Sequence, residues 1–239
     1  MKNQFLHTGN VRRAIEYATA LRNQGEAMPR LGAWHGDAGR GKTETSVYYA
    51  GKHSARMVTP KVNSSQLDLL NALYAELKDQ KSARFGRTRD AYDACLRLMF
   101  SSTEPVLIDE ADRISGRTVL VETLRDLSDR TGCPIIFVGT NQMMLQLQQR
   151  EQVASRLAEV VAFLPLSVEE VSMAAAELSG IQLKGAAAEV MHKLCRGFFR
   201  DLRVALHHLE RAVAANKLTE PPAEMVEDVA RKAIVRLAA

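Results

Sequence analysis

Over the first 165 residues, short and almost wholly apolar runs alternate with segments of helical periodicity. Apolar runs of this length are typical of parallel strands that are buried on both faces. Apolar residues that recur every three or four positions indicate helices with one buried face. We therefore predict an α/β fold with a doubly wound parallel sheet. Its strands should cover residues 31–35, 55–59, 105–108, 135–139 and 160–164.

The pattern changes after Pro165, because the rest of the sequence contains no convincing strand. Helical periodicity continues there, and its segments are separated by Gly180, by Gly197 and by the pair Pro221-Pro222. We predict helices at residues 168–179, 185–195, 199–215 and 222–237. The chain should therefore consist of an α/β domain, residues 1–165, and a small all-helical domain, residues 166–239.

The stretch GDAGRGKT lies between the first predicted strand and the next helix, and it fits the pattern G-x-x-x-x-G-K-[ST] without a mismatch. In this setting the pattern predicts a loop that binds nucleotide phosphates. Glycines let the backbone point its N–H groups inward, and the N-terminus of the following helix attracts anions. Lys42 would reach the β- and γ-phosphates, and Thr43 would ligate Mg2+. The loop comprises Gly36, Asp37, Ala38, Gly39, Arg40, Gly41, Lys42 and Thr43.

The predicted strand at 105–108 ends in two acids, Asp109 and Glu110. Downstream of a phosphate loop, such a strand supplies the acidic partner that the nucleotide's metal needs. Asp109 would hold Mg2+ through its water shell, and Glu110 would activate the attacking water as a general base. Asp112, the next acid, would instead cap a helix or pair with Arg113.

The predicted strand at 135–139 is followed by two polar residues, Thr140 and Asn141. Ligands of open α/β sheets bind at the carboxyl ends of the strands. Either residue could therefore contact the γ-phosphate or orient the attacking water. Thr-Asn is also a common turn sequence, so the pair alone does not decide between these roles.

Charge and cysteine usage narrow the class of protein. The net charge of +4 is compatible with a nucleic-acid partner. Residues 81–89 form a basic loop, which would be either a solvated surface or a contact for a phosphate backbone. The cysteines lie far apart in apolar runs and so predict reduced, buried thiols. The sequence shows neither a signal peptide nor an apolar run of about 18 residues, so we expect a cytoplasmic protein without a membrane partner.

With these residues identified, the chain resembles the AAA+ ATPases, whose two phosphate motifs match GDAGRGKT and VLIDEAD. The resemblance implies ATP and Mg2+ as cofactors, and it places Thr140-Asn141 at the family's polar sensor position. It also implies that Arg156, just before the last strand, is an arginine finger that reaches a neighbouring subunit's nucleotide, with Arg150 as the rival. The segment FRDLRVAL resembles the motif that carries the second sensor arginine, which by position is Arg203.

Within that family, the compact length and the start TGNVRRAI are similar to the target-capture ATPases of transposing phages such as Mu. This resemblance implies ATP-dependent homo-oligomers that coat double-stranded DNA as a helical filament and deliver it to a transposase in the bacterial host cytoplasm. Only residues 1–30 precede the first predicted strand, so we expect DNA contact from the ATPase core and not from a helix-turn-helix domain. The candidate contacts are Lys61, Arg84, Arg87 and Arg89.

Two other functions share the same motifs. One is a helicase loader or the helper ATPase of an insertion sequence, although a loader is expected to carry an additional N-terminal segment that binds the helicase. The other is a scaffold that uses its nucleotide only as a structural switch. Such modules often lack the catalytic glutamate, so Glu110 favours hydrolysis.

Overall fold

The computed structural model describes residues 2, 4–25, 28–82, 84–100 and 102–235, and the chain divides into two compact units. One unit comprises Arg12–Asp37 and Lys42–Phe163 and contains the sheet. The other comprises the chain up to Val11, the segment Ala38–Gly41 and the chain from Leu164 onward. Four residues of the predicted phosphate loop thus group with the helical unit. The domain boundary after residue 165 stays a prediction.

Five parallel strands form the sheet, in the order β2-β3-β4-β1-β5. Their bounds are β1 (Leu31–His35), β2 (Arg56–Val58), β3 (Val106–Ile108), β4 (Ile135–Gly139) and β5 (Leu157–Ala162). The helices that precede or connect them are α1 (Gly9–Asn23), α2 (Lys42–His53), α3 (Gln66–Leu77), α4 (Thr88–Met99), α5 (Asp112–Ser115), α6 (Thr118–Thr131), α7 (Asn141–Gln148) and α8 (Glu151–Ala154). The predicted doubly wound parallel sheet is confirmed.

Strand pairing determines which loops come together. Every residue of β3 and β4 is buried, as expected for strands covered by helices on both faces. Ile135 at the start of β4 lies opposite both Leu31 of β1 and Val106 of β3. These three parallel strands therefore end along one edge of the sheet, and the residues that follow them are brought together at that edge.

The helical unit contains α9 (Val168–Ser179), α10 (Ala186–Cys195), α11 (Phe199–Ala215) and α12 (Ala223–Val235). Ser167 and Glu170 form a reciprocal capping box that begins α9, and Gly180 ends it in the left-handed conformation at φ 68°. The bounds predicted for α9 and α11 are confirmed. The last two residues of the helix predicted at 222–237 lie outside the described residues. Of the helices described, none has the length and apolar character needed to cross a membrane.

All three cysteines are free thiols in the buried interior, as predicted. Burial raises the pKa of Cys95 and Cys133 to about 12 and that of Cys195 to about 11. The raised pKa values favour the neutral thiol form of these buried cysteines at physiological pH.

The segment 143–157 contains two helices, α7 and α8, and the start of strand β5. Arg150 adopts an extended conformation between α7 and α8, and its backbone oxygen accepts hydrogen bonds from the first turn of α8. Strand β5 then begins at Leu157 and not at Val160. Its pairing with β1 shifts by one residue after Leu157, and this bulge interrupts the alternation by which a strand is recognised.

Candidate nucleotide-binding site

The predicted phosphate loop connects the end of β1 to the start of α2, as its sequence pattern requires. Gly36 has φ 149°, and a Cβ there would lie 2.7 Å from the carbonyl oxygen of Phe163, so no side chain fits. Gly41 has φ 91°, a conformation that side chains rarely adopt, and a Cβ there would meet open space. The backbone at both positions therefore depends on glycine.

Lys42 is turned back onto the loop that it ends. Its ammonium group donates hydrogen bonds to the carbonyl oxygens of Gly36, at 2.7 Å, and Asp37, at 2.8 Å. Phosphate oxygens would offer the same cation stronger, charge-assisted hydrogen bonds than neutral carbonyls do. The lysine is thus held beside the loop by contacts that an anion can replace.

Thr43 and Asp109 connect the phosphate loop to the end of β3. The Thr43 hydroxyl donates to Asp109 Oδ1 at 3.3 Å, and Asp109 is only 4% exposed. Burial raises the pKa of this carboxyl, and the nearby charge of Glu110 raises it further, against the hydrogen bonds from the backbone of Glu110 and from Thr43. A hydroxyl and a buried carboxylate are oxygen ligands of the kind that Mg2+ prefers, so the pair fits the metal of a bound nucleotide.

Glu110, the predicted general base, has an unusual backbone conformation and a cationic partner. Its φ of 50° is in the left-handed region, which is uncommon for a residue other than glycine. Its carboxylate is in an ion pair with Arg113. Arg113 also donates to the backbone oxygen of Pro60 at 2.7 Å, in the loop after β2. One oxygen of the carboxylate, Oε2, is therefore engaged by Arg113.

Thr140 and Asn141 have different environments. The Thr140 side chain accepts hydrogen bonds from the first turn of α7 as its N-cap, and its hydroxyl and backbone N–H both donate to Asp112. Asp112 thus contacts Thr140. The expected alternative in which Asp112 pairs with Arg113 is wrong. The Asn141 side chain contacts His35 and Asp37 at the phosphate-loop edge. Of the two residues, Asn141 is better placed to contact a phosphate or water.

In the helical unit, the beginning of α11 contacts the tip of the phosphate loop. The backbone N–H of Arg200 donates to the Gly39 carbonyl at 3.1 Å, and the guanidinium of Arg40 lies 4.1 Å from the centre of the Phe198 ring. Arg203, predicted as the sensor arginine, lies 6.0 Å from the Phe199 ring. Arg200 is not among the residues predicted from the sequence, although its place at a helix start, three residues after Gly197, is a usable signal.

Arg156 lies immediately before β5, at the amino ends of the parallel strands, whereas the phosphate loop follows the carboxyl end of β1. Its guanidinium is 3.3 Å from the Asp129 carboxylate, and its side chain is 46% exposed. The five-residue strand β1 runs from beside Arg156 to the phosphate loop, so the two lie roughly 16 Å apart in one subunit. The rival Arg150 donates to the backbone oxygen of Gln146 at 2.6 Å.

The four predicted DNA contacts are exposed. Lys61 precedes α3, whereas Arg84, Arg87 and Arg89 follow it. Helix α4 begins at Thr88, so Arg89 lies in a helix and not in the predicted loop 81–89. The backbone N–H of Phe85 donates to Asn71 Oδ1 at 2.9 Å, and the Phe85 ring packs edge-on against Tyr74 with centroids 4.9 Å apart.

Comparison with known proteins agrees with this geometry. Residues 27–147, just over half of the chain, match the profile of the AAA domain family. The chain belongs to the AAA domain family. No curated protein sequence matches the chain. The phosphate loop and the Asp109 strand both fall inside the matched AAA domain.

Solved structures show the same AAA+ fold. The chain is similar to the ORC2 protein of Aeropyrum pernix in ADPNP–ADP complexes, with 14% identity, a TM-score of 0.67 and coverage of 98% of this chain and 71% of that one. It is similar to the Holliday junction branch migration motor RuvB of Thermotoga maritima, with 20% identity, a TM-score of 0.60 and coverage of 94% and 69%. The ORC1 protein of A. pernix in complex with DNA matches with 14% identity, a TM-score of 0.62 and coverage of 93% and 64%. The predicted P-loop AAA+ fold is therefore confirmed.

We expect Asp109→Asn to stabilise the nucleotide-free protein while it weakens metal-dependent binding. Because its pKa is raised, the carboxyl binds a proton more readily in the folded chain than in the unfolded one. Its ionised form therefore costs stability as the pH rises from about 4, the ordinary carboxyl value, through the raised one. Calorimetry at pH 7 should give a higher Tm for the variant, with a smaller further rise on adding ATP and Mg2+. A lower Tm for the variant at pH 7 would contradict this account of Asp109.

We expect Arg113→Ala to raise ATP turnover, because it frees the Glu110 carboxylate. The gain should be roughly twofold to fivefold, since a half-exposed ion pair is worth about 1 kcal/mol or less. Phosphate release measures the effect, and Arg231→Ala, which removes an arginine paired with Glu227 in α12, is the matched control. Slower turnover in Arg113→Ala alone would mean that Arg113 holds Glu110 in its working position.

Proposed function

We propose that this protein binds ATP with Mg2+ and hydrolyses it to ADP and phosphate. The observation that carries the proposal is the connection between Thr43 of the phosphate loop and the buried Asp109 at the end of β3. A buried carboxylate with a raised pKa costs stability unless a cation compensates for it, so its presence beside a phosphate loop is best explained by a metal. The nucleotide complexes of the A. pernix ORC2 protein support the same assignment.

The proposed roles follow from the places of the side chains. Lys42 exchanges its loop carbonyls for the β- and γ-phosphates, and Thr43 and Asp109 hold Mg2+, which neutralises developing phosphate charge. Glu110 accepts the proton of the attacking water, and Asn141 orients that water or the γ-phosphate. Thr140, already engaged by Asp112 and by α7, supports Asn141 from the preceding position.

Arg156 is proposed to act on the nucleotide of a neighbouring subunit. Arg156 lies at the opposite ends of the strands, so it cannot reach the γ-phosphate of a nucleotide bound to its own subunit. It could therefore stabilise γ-phosphate charge only on a nucleotide bound to another subunit. Arg150 is the weaker candidate, because its guanidinium is used in a backbone contact within α7. ATP would therefore join subunits, and hydrolysis would loosen them.

The helical segment after residue 165 is proposed to sense the nucleotide as a lid domain. The motif placed Arg203 in this role, but Arg200 has the direct backbone contact with Gly39 of the phosphate loop. We therefore propose Arg200 as the first candidate for the phosphate contact. Arg203, one turn further along α11, is the second.

The ATPase is further proposed to oligomerise on double-stranded DNA and to deliver that DNA to a transposase, in the manner of the phage Mu B protein. Support comes from the net charge, from the exposed arginines on either side of Phe85, and from the ORC1 and RuvB neighbours, whose structures are those of a DNA complex and of a branch migration motor. Contacts through Lys61, Arg84, Arg87 and Arg89 to phosphates would read little sequence and would weaken with salt.

One observation favours a second candidate function, a nucleotide-dependent scaffold. The ion pair with Arg113 engages the only group proposed as general base. If that pair persisted when ATP bound, the protein would change its assembly with nucleotide and turn ATP over very slowly.

Negative-stain imaging with plain double-stranded DNA tests the proposal, using ATP, ADP or no nucleotide. We expect filaments only with ATP, and we expect Arg156→Ala to lose them, because the arginine reaches the nucleotide of the next subunit. Closed rings in place of filaments, or no assembly on DNA with ATP, would contradict the filament proposal.

The matched pair of variants for DNA removes two positive charges each. Arg84→Ala with Arg87→Ala should reduce the slope of log affinity against log salt by about 2, one unit per lost phosphate contact. Arg231→Ala with Lys232→Ala, two exposed residues of α12 paired with acids, should leave the slope unchanged. Equal effects of the two double variants would assign DNA binding to net charge and not to the basic loop.

A further inference from the structure

The side-chain amide of Asn141 lies between Asp37 of the phosphate loop and His35, a residue that no motif assigned. His35 Nδ1 is 2.8 Å from Asn141 Oδ1, and Asn141 Nδ2 donates to Asp37 Oδ1 at 2.9 Å. His35 is the last residue of β1, Asp37 is in the phosphate loop, and Asn141 begins α7 after Gly139 of β4 and the N-cap Thr140. His35 pairs with Gly139 across the two strands, which places the imidazole beside the polar residues that follow β4.

The chemistry of these groups fixes the direction of both hydrogen bonds. An ionised carboxylate can only accept, so the NH2 end of the Asn141 amide must face Asp37. The oxygen end then faces His35, and an amide oxygen can only accept. The Nδ1 atom of His35 must therefore carry a proton, in the neutral ring as well as in the charged one.

We propose that His35 is a positioning residue for ATP hydrolysis, which holds the Asn141 amide with its N–H groups directed toward the phosphate loop. This inference rests on the proposed function, in which Asn141 orients the attacking water or the γ-phosphate. His35 keeps hold of the amide oxygen while the NH2 group exchanges Asp37 for an oxygen of the substrate. Without the imidazole, the amide is free to turn its oxygen toward the phosphates, where it would repel them.

The contacts of the phosphate loop fit this exchange. The backbone carbonyl of Asp37 holds the Lys42 ammonium at 2.8 Å, while its carboxylate holds the Asn141 amide. The Lys42 ammonium and the Asn141 amide, the two groups that would face the γ-phosphate, are thus both hydrogen-bonded to Asp37. A phosphate oxygen could replace either hydrogen bond. The bond from His35 is different, because it attaches to the end of the amide that points away from Asp37.

The tautomer of His35 can be measured without any enzymatic activity. Nitrogen NMR of the full chain labelled with 15N-histidine, with His35 assigned from the loss of its signals in His35→Asn, should show a proton on Nδ1. In the neutral ring the bare nitrogen should be Nε2. A neutral His35 with a proton on Nε2 and a bare Nδ1 would overturn the proposed hydrogen bond and with it the inference.

Steady-state kinetics test whether the bond serves catalysis. His35→Leu should lower kcat roughly threefold to tenfold, the loss expected for one hydrogen bond, with the KM for ATP nearly unchanged. His35→Asn, which can place a side-chain N–H near the position of Nδ1, should lose less. In an Asn141→Ala background, His35→Leu should have no further effect, because the group that it positions is gone.

Other outcomes separate this inference from the proposed function. Independent, multiplicative losses from His35→Leu and Asn141→Ala, or a loss of ATP affinity with kcat unchanged, would overturn the positioning role and leave ATP hydrolysis standing. Should His35→Leu fail to fold, His35→Asn and the tautomer of the wild-type ring decide the question. A wild-type protein that binds ATP but never hydrolyses it would overturn the proposed reaction, and the NMR result would still decide whether His35 orients the amide.

Discussion

The parallel pairing of β1, β3 and β4 is the constraint on which the candidate site depends. Because these strands run side by side in one direction, the phosphate loop, the Asp109-Glu110 pair and Asn141 all follow strand ends at one edge of the sheet. Residues more than 60 positions apart in sequence thereby form direct hydrogen bonds, such as those that join Thr43 to Asp109 and Asn141 to Asp37. The same pairing places Arg156 at the opposite ends of the strands, from where we propose that it reaches a neighbouring subunit.

Several groups at this edge are held in arrangements that cost energy or that a ligand can replace. Asp109 is buried with a raised pKa, Glu110 has a left-handed backbone and a cationic partner, and Lys42 is hydrogen-bonded to its own loop. Such features concentrate at functional sites, where the local cost is offset by the stability of the surrounding core. In the function proposed above, one ligand, a nucleotide with its metal, would compensate or rearrange each of them.

Much of this could be predicted from the sequence, because the information was local. The phosphate loop depends on glycines and a lysine at fixed spacing, and the buried strands are recognised by continuous apolar runs. What the sequence did not show depends on contacts between distant segments. The sequence around Glu110 does not indicate that Arg113 pairs with Glu110 and not with Asp112. Nor does it indicate that Asp112 contacts Thr140, while Asn141 remains beside the phosphate loop. The bulge in β5 was missed because it breaks the alternation used to recognise a strand.

We propose that the acids at the end of β3 make this AAA domain an ATPase and not only a nucleotide switch. The decisive measurement is phosphate release by the wild-type protein and by Glu110→Gln, made beside their affinities for ATP with Mg2+. We expect the variant to bind ATP as tightly as the wild-type protein does but to hydrolyse it roughly a hundredfold or more slowly, the usual contribution of a general base. Equal turnover in the two proteins, or a wild-type protein that binds ATP and releases no phosphate, would contradict it.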